Sequence, residues 1–85
     1  MSFRLLYTKL AVADIRKLDS VTKNRIKKKL ELYQTDPIQY SKKLINSSLG
    51  GYRFRIGDYR IIFDLDDDNI VILHVSHRRE SYRKK

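Results

Sequence analysis

The stretch "GYRFRIGDYR" at 51–60 concentrates three arginines around a glycine turn. Read as a strand, a two-residue loop and a second strand, it pairs Ile56 with Tyr59, Arg55 with Arg60, Phe54 with Ile61 and Arg53 with Ile62. Two cations then stand directly opposite each other on one sheet face, an arrangement that destabilises a sheet. A bound phosphate or a developing phosphorane turns that repulsion into attraction. Arginine suits the task because its planar fork donates paired hydrogen bonds to phosphate oxygens.

The rest of the chain must position these groups. From Tyr52 the hydrophobic period is two. Tyr52, Phe54 and Ile56 share one face, and Arg53 and Arg55 share the other. Gly57-Asp58 predicts a two-residue hairpin loop of the type II′ pattern, glycine first. Tyr59 to Leu65 continues both faces, with Arg60, Ile62 and Asp64 on the arginine side. "DDDN" at 66–69 is a second turn, with Asp58 and Asp64 as the carboxylates nearest the arginine pair. "IVILHVS" at 70–76 is almost uniformly apolar and predicts a strand covered on both faces. If these last two strands pair around 67–68, Arg60 lies across from Val75. The chain after Ser76 then emerges at the Gly57-Asp58 end, bringing His77, Arg78, Arg79 and Tyr82 beside Arg55 and Arg60.

Upstream, "FRLLY" at 3–7 suits a short strand. Residues 8–18 suit a helix capped by Thr8, with Val12, Ile15 and Leu18 as its stripe and Leu10 and Ala11 broadening it. "DS" at 19–20 is a turn and cap for a second helix over "VTKNRIKKKLELYQT", with Val21, Ile26, Leu30 and Tyr33 apolar. Asp36-Pro37 ends it, because proline disfavours a helical residue before it. Residues 38–50 read as an irregular connector tacked down by Ile38, Tyr40, Leu44 and Ile45. The order β-α-α-β-β-β predicts an α+β fold, an antiparallel sheet with both N-terminal helices packed on one face and a short C-terminal tail or helix. Eighty-five residues make a single domain, 1–85, without repeats.

The net charge of +9 favours a polyanionic partner. There is no cysteine, so no disulfide or thiolate metal site holds the fold. No apolar run approaches a membrane span, and "MSFRLLYTKL" lacks the apolar segment of a secretory signal. The expectation is a soluble cytoplasmic protein without a membrane partner. His74 and His77 have no third nitrogen or sulfur ligand in the sequence to complete a zinc site, and His74 reads as a packed or hydrogen-bonded histidine. "DLDDDN" lacks the glycine and glutamate of a calcium loop. No phosphate-loop motif is present.

The segment "GYRFRIGDYRIIFDLDDDNIVILHVSHRRESY", with "KLDSVTKNRIKKKLELYQTDP" before it, resembles the RelE/ParE toxin superfamily over nearly the whole chain. Members are the toxins of type II toxin–antitoxin pairs. The RelE branch implies a ribosome-dependent endoribonuclease that cuts mRNA in the A site without metal or cofactor. The ParE branch implies the alternative, a non-enzymatic inhibitor of DNA gyrase. A third reading is an inert or purely DNA-binding relative. On the RelE pattern the two basic strand positions fall on Arg53 and Arg55, the arginine after the turn on Arg60, the arginine after the last strand on Arg78 or Arg79, and the tyrosine on Tyr82. The implied reaction is attack of a 2′-hydroxyl on the neighbouring phosphate, with Tyr82 as base and His77 as the alternative. The RelE pattern has lysines where Arg53 and Arg55 stand, which favours electrostatic stabilisation over proton transfer there. Lys23, Arg25, Lys27, Lys28 and Lys29 would bind ribosomal RNA phosphates. The implied partner is an acidic, partly disordered RelB-like antitoxin.

Overall fold

In the computed structural model, which describes residues 3–45 and 48–77, the hairpin predicted at 51–60 anchors the architecture. The elements are β1 (Arg4–Tyr7), α1 (Lys9–Arg16), α2 (Ser20–Tyr33), α3 (Pro37–Tyr40), β2 (Lys42–Lys43), β3 (Tyr52–Ile56), β4 (Tyr59–Asp66) and β5 (Asn69–His77). They form one five-stranded sheet in the order β1-β5-β4-β3-β2. The α+β class matches the expectation. The sheet is antiparallel from β2 to β5, and β1 joins its edge parallel to β5.

The helices start where the sequence supplies oxygen caps. Thr8 accepts the Ala11 N–H, Asp19 the Thr22 N–H and Asp36 the Gln39 N–H. Pro37 opens α3, its fixed φ being suited to a first helical turn. The connector therefore carries a helical turn and a short strand that its composition did not announce. Its tacking differs too. Tyr40 stacks on Tyr33 at 4.8 Å and Leu44 is half-buried, but Ile38 and Ile45 are exposed.

Both helices cover one sheet face. Ala11, Ile26 and Leu30 pack over Phe54, Ile56, Ile61, Phe63, Ile70, Ile72 and Val75. Phe54 and Phe63 stack at 4.2 Å, flanked by Tyr33 and Tyr52. Each such fully buried ring contributes about 1.5–3 kcal/mol of transfer free energy. The helical stripes are narrower than the sequence suggests. Leu10 and Val12 are exposed, and Val21 is 74% exposed, because each helix meets the sheet along a single line.

The other face of the sheet carries the arginines. Its far half is covered at Gly50, where an added Cβ would stand 2.7 Å from Ile62 Cγ2 and 2.8 Å from Leu73 Cδ1. Only glycine permits that approach, and Ile62 is buried beneath it. The adjacent Gly51 N–H donates to Asp64 Oδ1 at 2.6 Å. No described helix is long and apolar enough to cross a membrane.

Candidate functional site on the open sheet face

Register places the cations. Arg55 pairs with Arg60 and Arg53 with Ile62, as the two-residue loop requires. Gly57 takes φ +59 while Asp58 stays negative, the φ pattern of a II′ turn. Directly opposed residues share a face with Cβ atoms roughly 4.5–5.5 Å apart. Arg55 is exposed and Arg60 half-exposed. Among the described residues neither forms an ion pair. Asp64, one of the two carboxylates that could neutralise them, is turned to Gly51.

A further cation joins from an element the sequence concealed. Lys42 of β2 lies opposite Arg53. The face thus carries two rows, Lys42–Arg53–Ile62 and Arg55–Arg60–Ser76. Arg53 and Arg55 are two residues apart, so the rows lie roughly 6.5–7 Å apart along β3. The only sequence signal for Lys42 is a pair of lysines before the glycines, and two residues carry no periodicity.

The register beside Arg60 departs from expectation. Asp66↔Asn69 to Phe63↔Ile72 pair regularly, then a bulge between Ile62 and Phe63 shifts the rest by one, so Arg60 faces Ser76 instead of Val75. Leu73 is the extra residue. His77 consequently pairs with Tyr59, and its ring meets the Tyr59 ring edge-on at 5.0 Å. That pair belongs to the helix-covered face, so His77 is turned from the arginines. His74 is hydrogen-bonded, as expected, with Nδ1 2.7 Å from Asp14 Oδ2. A carboxylate only accepts, so the proton is on Nδ1. Arg78, Arg79 and Tyr82 lie outside the described residues.

The basic run on α2 is exposed throughout but does not form one surface. At 100° per residue, Lys23 and Lys27 fall on the side toward α1 and Arg25 and Lys29 on the other. Lys23 and Lys27 border an apolar groove of about 360 Å³ lined by Val12, Ile15, Ile26 and Leu30. Arg25 reaches the hairpin, its Nη1 3.2 Å from where a Gly57 Cβ would stand. Lys28 points away from the core.

Residues 5–82 match the ParE toxin of type II toxin–antitoxin systems. The chain belongs to the ParE toxin family. Toxin RelE3 of Methanocaldococcus jannaschii is 30% identical over 83 residues, spanning 93% of this chain and 94% of RelE3. The RelBE2 toxin–antitoxin complex of Mycobacterium tuberculosis contains a chain that matches this one at 26% identity with a TM-score of 0.83, covering 92% of this chain and all of that one, 100%. The RelE–RelB complex of Pyrococcus horikoshii gives 0.74 at 26% identity, covering 92% and 97%. These relatives place the ParE-family chain in the RelE/ParE superfamily that its hairpin and helices resemble.

Proposed function

We propose that this ParE-family chain is the toxin of a RelBE-type pair and a ribosome-dependent endoribonuclease, acting in the cytoplasm on mRNA in the A site. The observation that carries the proposal is the opposed Arg55–Arg60 pair, extended by Arg53 and Lys42. An opposed arginine pair with no ion pair to either member among the described residues suits an external polyanion. The RelE names of its relatives support the same branch, and no observation on the sheet favours gyrase as the target.

In this mechanism the RNA 2′-hydroxyl attacks the adjacent phosphorus and the bond to the 5′-oxygen breaks. The 2′-proton passes to a base and the 5′-oxygen takes up a proton. The products are a 2′,3′-cyclic phosphate and a 5′-hydroxyl. Arg53, Arg55 and Arg60 hold the phosphate and stabilise the charge that grows on its oxygens. Their fixed charge excludes them as bases at neutral pH. Tyr82 serves as base. A free phenol, with a pKa of ~10, is weakly basic at neutral pH, and neighbouring arginines favour its phenolate. Arg78, with Arg79 as the alternative, acts at the leaving oxygen. His77 fits the base role less well, given its pairing with Tyr59.

Lys23, Arg25, Lys27, Lys28 and Lys29 contact RNA phosphates of the ribosome, with Arg25 on the hairpin side. A RelB-like acidic antitoxin holds the toxin in check, in line with the complexes in which its relatives were solved. The test is to add the purified protein to translating ribosomes and to naked mRNA and map RNA 5′ ends. Cuts within the A-site codon that need ribosomes support the proposal. No cleavage by folded protein in either tube removes it and directs attention to a gyrase supercoiling assay.

A further inference from the structure

The bulge in β5 decides which residue stands beside Arg60, and its causes lie outside the sheet. Parallel pairing with β1 ends at Tyr7↔Ile72. Beyond that point β5 has a bare edge, and unpaired backbone groups there cost free energy unless something replaces the missing strand. At the bulge two consecutive carbonyls turn to this edge. Thr8 takes both, donating its N–H to Ile72 O at 3.1 Å and its hydroxyl to Leu73 O at 3.1 Å. Nearly two turns further along α1, Asp14 Oδ2 accepts the Val75 N–H at 2.9 Å. The same oxygen lies 2.7 Å from His74 Nδ1, which fixes the carboxylate in place. Side chains of α1 and its cap therefore bond groups of residues 73, 74 and 75.

We infer that Asp14 is a positioning residue that sets the register of β5 beneath Arg60. Without the extra residue, Arg60 would face Val75. A one-residue slip moves every following side chain to the opposite face of the sheet. Ser76 would leave the arginine face and His77 would enter it. The Asp14 carboxylate selects the bulged register because only that register turns the Val75 N–H toward it. Among the described residues the Asp14 carboxylate bonds His74 and Val75 and acts through the strand. Its effect on register is independent of function, whereas its effect on cleavage rests on the nuclease reading above.

The test reads register directly. Cross-strand proton contacts in the NMR spectrum of the purified protein report whether Arg60 neighbours Ser76 or Val75. Asp14→Ala is expected to lose the Arg60–Ser76 contact and to lower kcat for ribosome-dependent cleavage by about 100-fold, the scale of a misplaced catalytic group, with KM within about twofold. Asp14→Asn keeps an acceptor for the Val75 N–H and is expected to restore both. Should Asp14→Ala not fold, it is combined with deletion of Leu73. That deletion removes the bulge while leaving Arg60 opposite Ser76, so the combined variant is expected to fold with that contact intact. An Arg60–Ser76 contact that survives in Asp14→Ala, or a combined variant that remains unfolded, overturns the inference. If the wild-type protein cuts no RNA, the nuclease reading fails and the register result still stands.

Discussion

Arg55 and Arg60 face each other across β3 and β4 with no carboxylate paired to either among the described residues. The pair opposes the fold that displays it. Removing one charge should therefore stabilise the free protein while damaging its activity. Arg60→Ala is expected to raise the unfolding free energy, by up to ~1 kcal/mol at low salt and less at high salt, where the repulsion is screened. The same substitution should lower cleavage by about 100-fold or more. Urea melts at two ionic strengths beside a cleavage assay check both halves.

Lys42 extends the Arg53 row by one strand but stands away from the Arg55–Arg60 pair. Its contribution should be to holding RNA and not to the reaction. Lys42→Ala is expected to raise KM with kcat unchanged. The slope of log affinity against log salt should fall by about one for the lost phosphate contact. Titration of single-stranded RNA at several salt concentrations measures it.

Gly50 lets the chain lie on Ile62 and Leu73 at distances no Cβ tolerates. Gly50→Ala must push the segment off the sheet or displace Ile62. A loss of about 1–3 kcal/mol is expected, the usual cost of overpacking. Thermal denaturation measures it, and Gly50→Ala with Ile62→Val should recover part of the loss.

Tyr7 supplies a pH dependence. Partial burial of its phenol, with Glu31 adding negative charge nearby, raises its pKa above the ordinary 10.0. The folded protein thus holds the proton more tightly than the unfolded chain. This contribution is fully present below pH 10 and is lost as pH rises through the folded pKa. Tyr7→Phe should show a slightly shallower fall in unfolding free energy between pH 9 and 11 than wild type, read from urea melts, the difference being small because the residue is 42% exposed and solvent screens its charge.

How much of this was legible in the sequence depends on how local its cause is. The Arg55–Arg60 pairing followed from Gly57-Asp58, because a two-residue loop leaves one register. The caps at Thr8 and Asp19 were equally local. The Arg60–Ser76 pairing was not, because the bulge is bonded by Thr8 and Asp14, more than sixty residues away for the Thr8–Leu73 contact, 65. Nothing in "IVILHVS" marks Leu73 as the extra residue. Lys42 was hidden for a different reason, since a strand of two residues has no alternation to read. The exposure of Val12 and Val21 shows the opposite error, where periodicity alone could not tell how wide a contact the sheet would make.

The proposed nuclease holds an RNA phosphate on its arginine face while the neighbouring 2′-hydroxyl attacks it. The most direct measurement uses programmed ribosomes with an A-site codon carrying a single 2′-deoxy nucleotide at the mapped cut. The expected result is cleavage of the all-ribose codon to a 2′,3′-cyclic phosphate, none at the deoxy position, and little with Arg60→Ala on either template. Cleavage that persists at the deoxy position, or that leaves a linear 3′-phosphate as the first product, would contradict it.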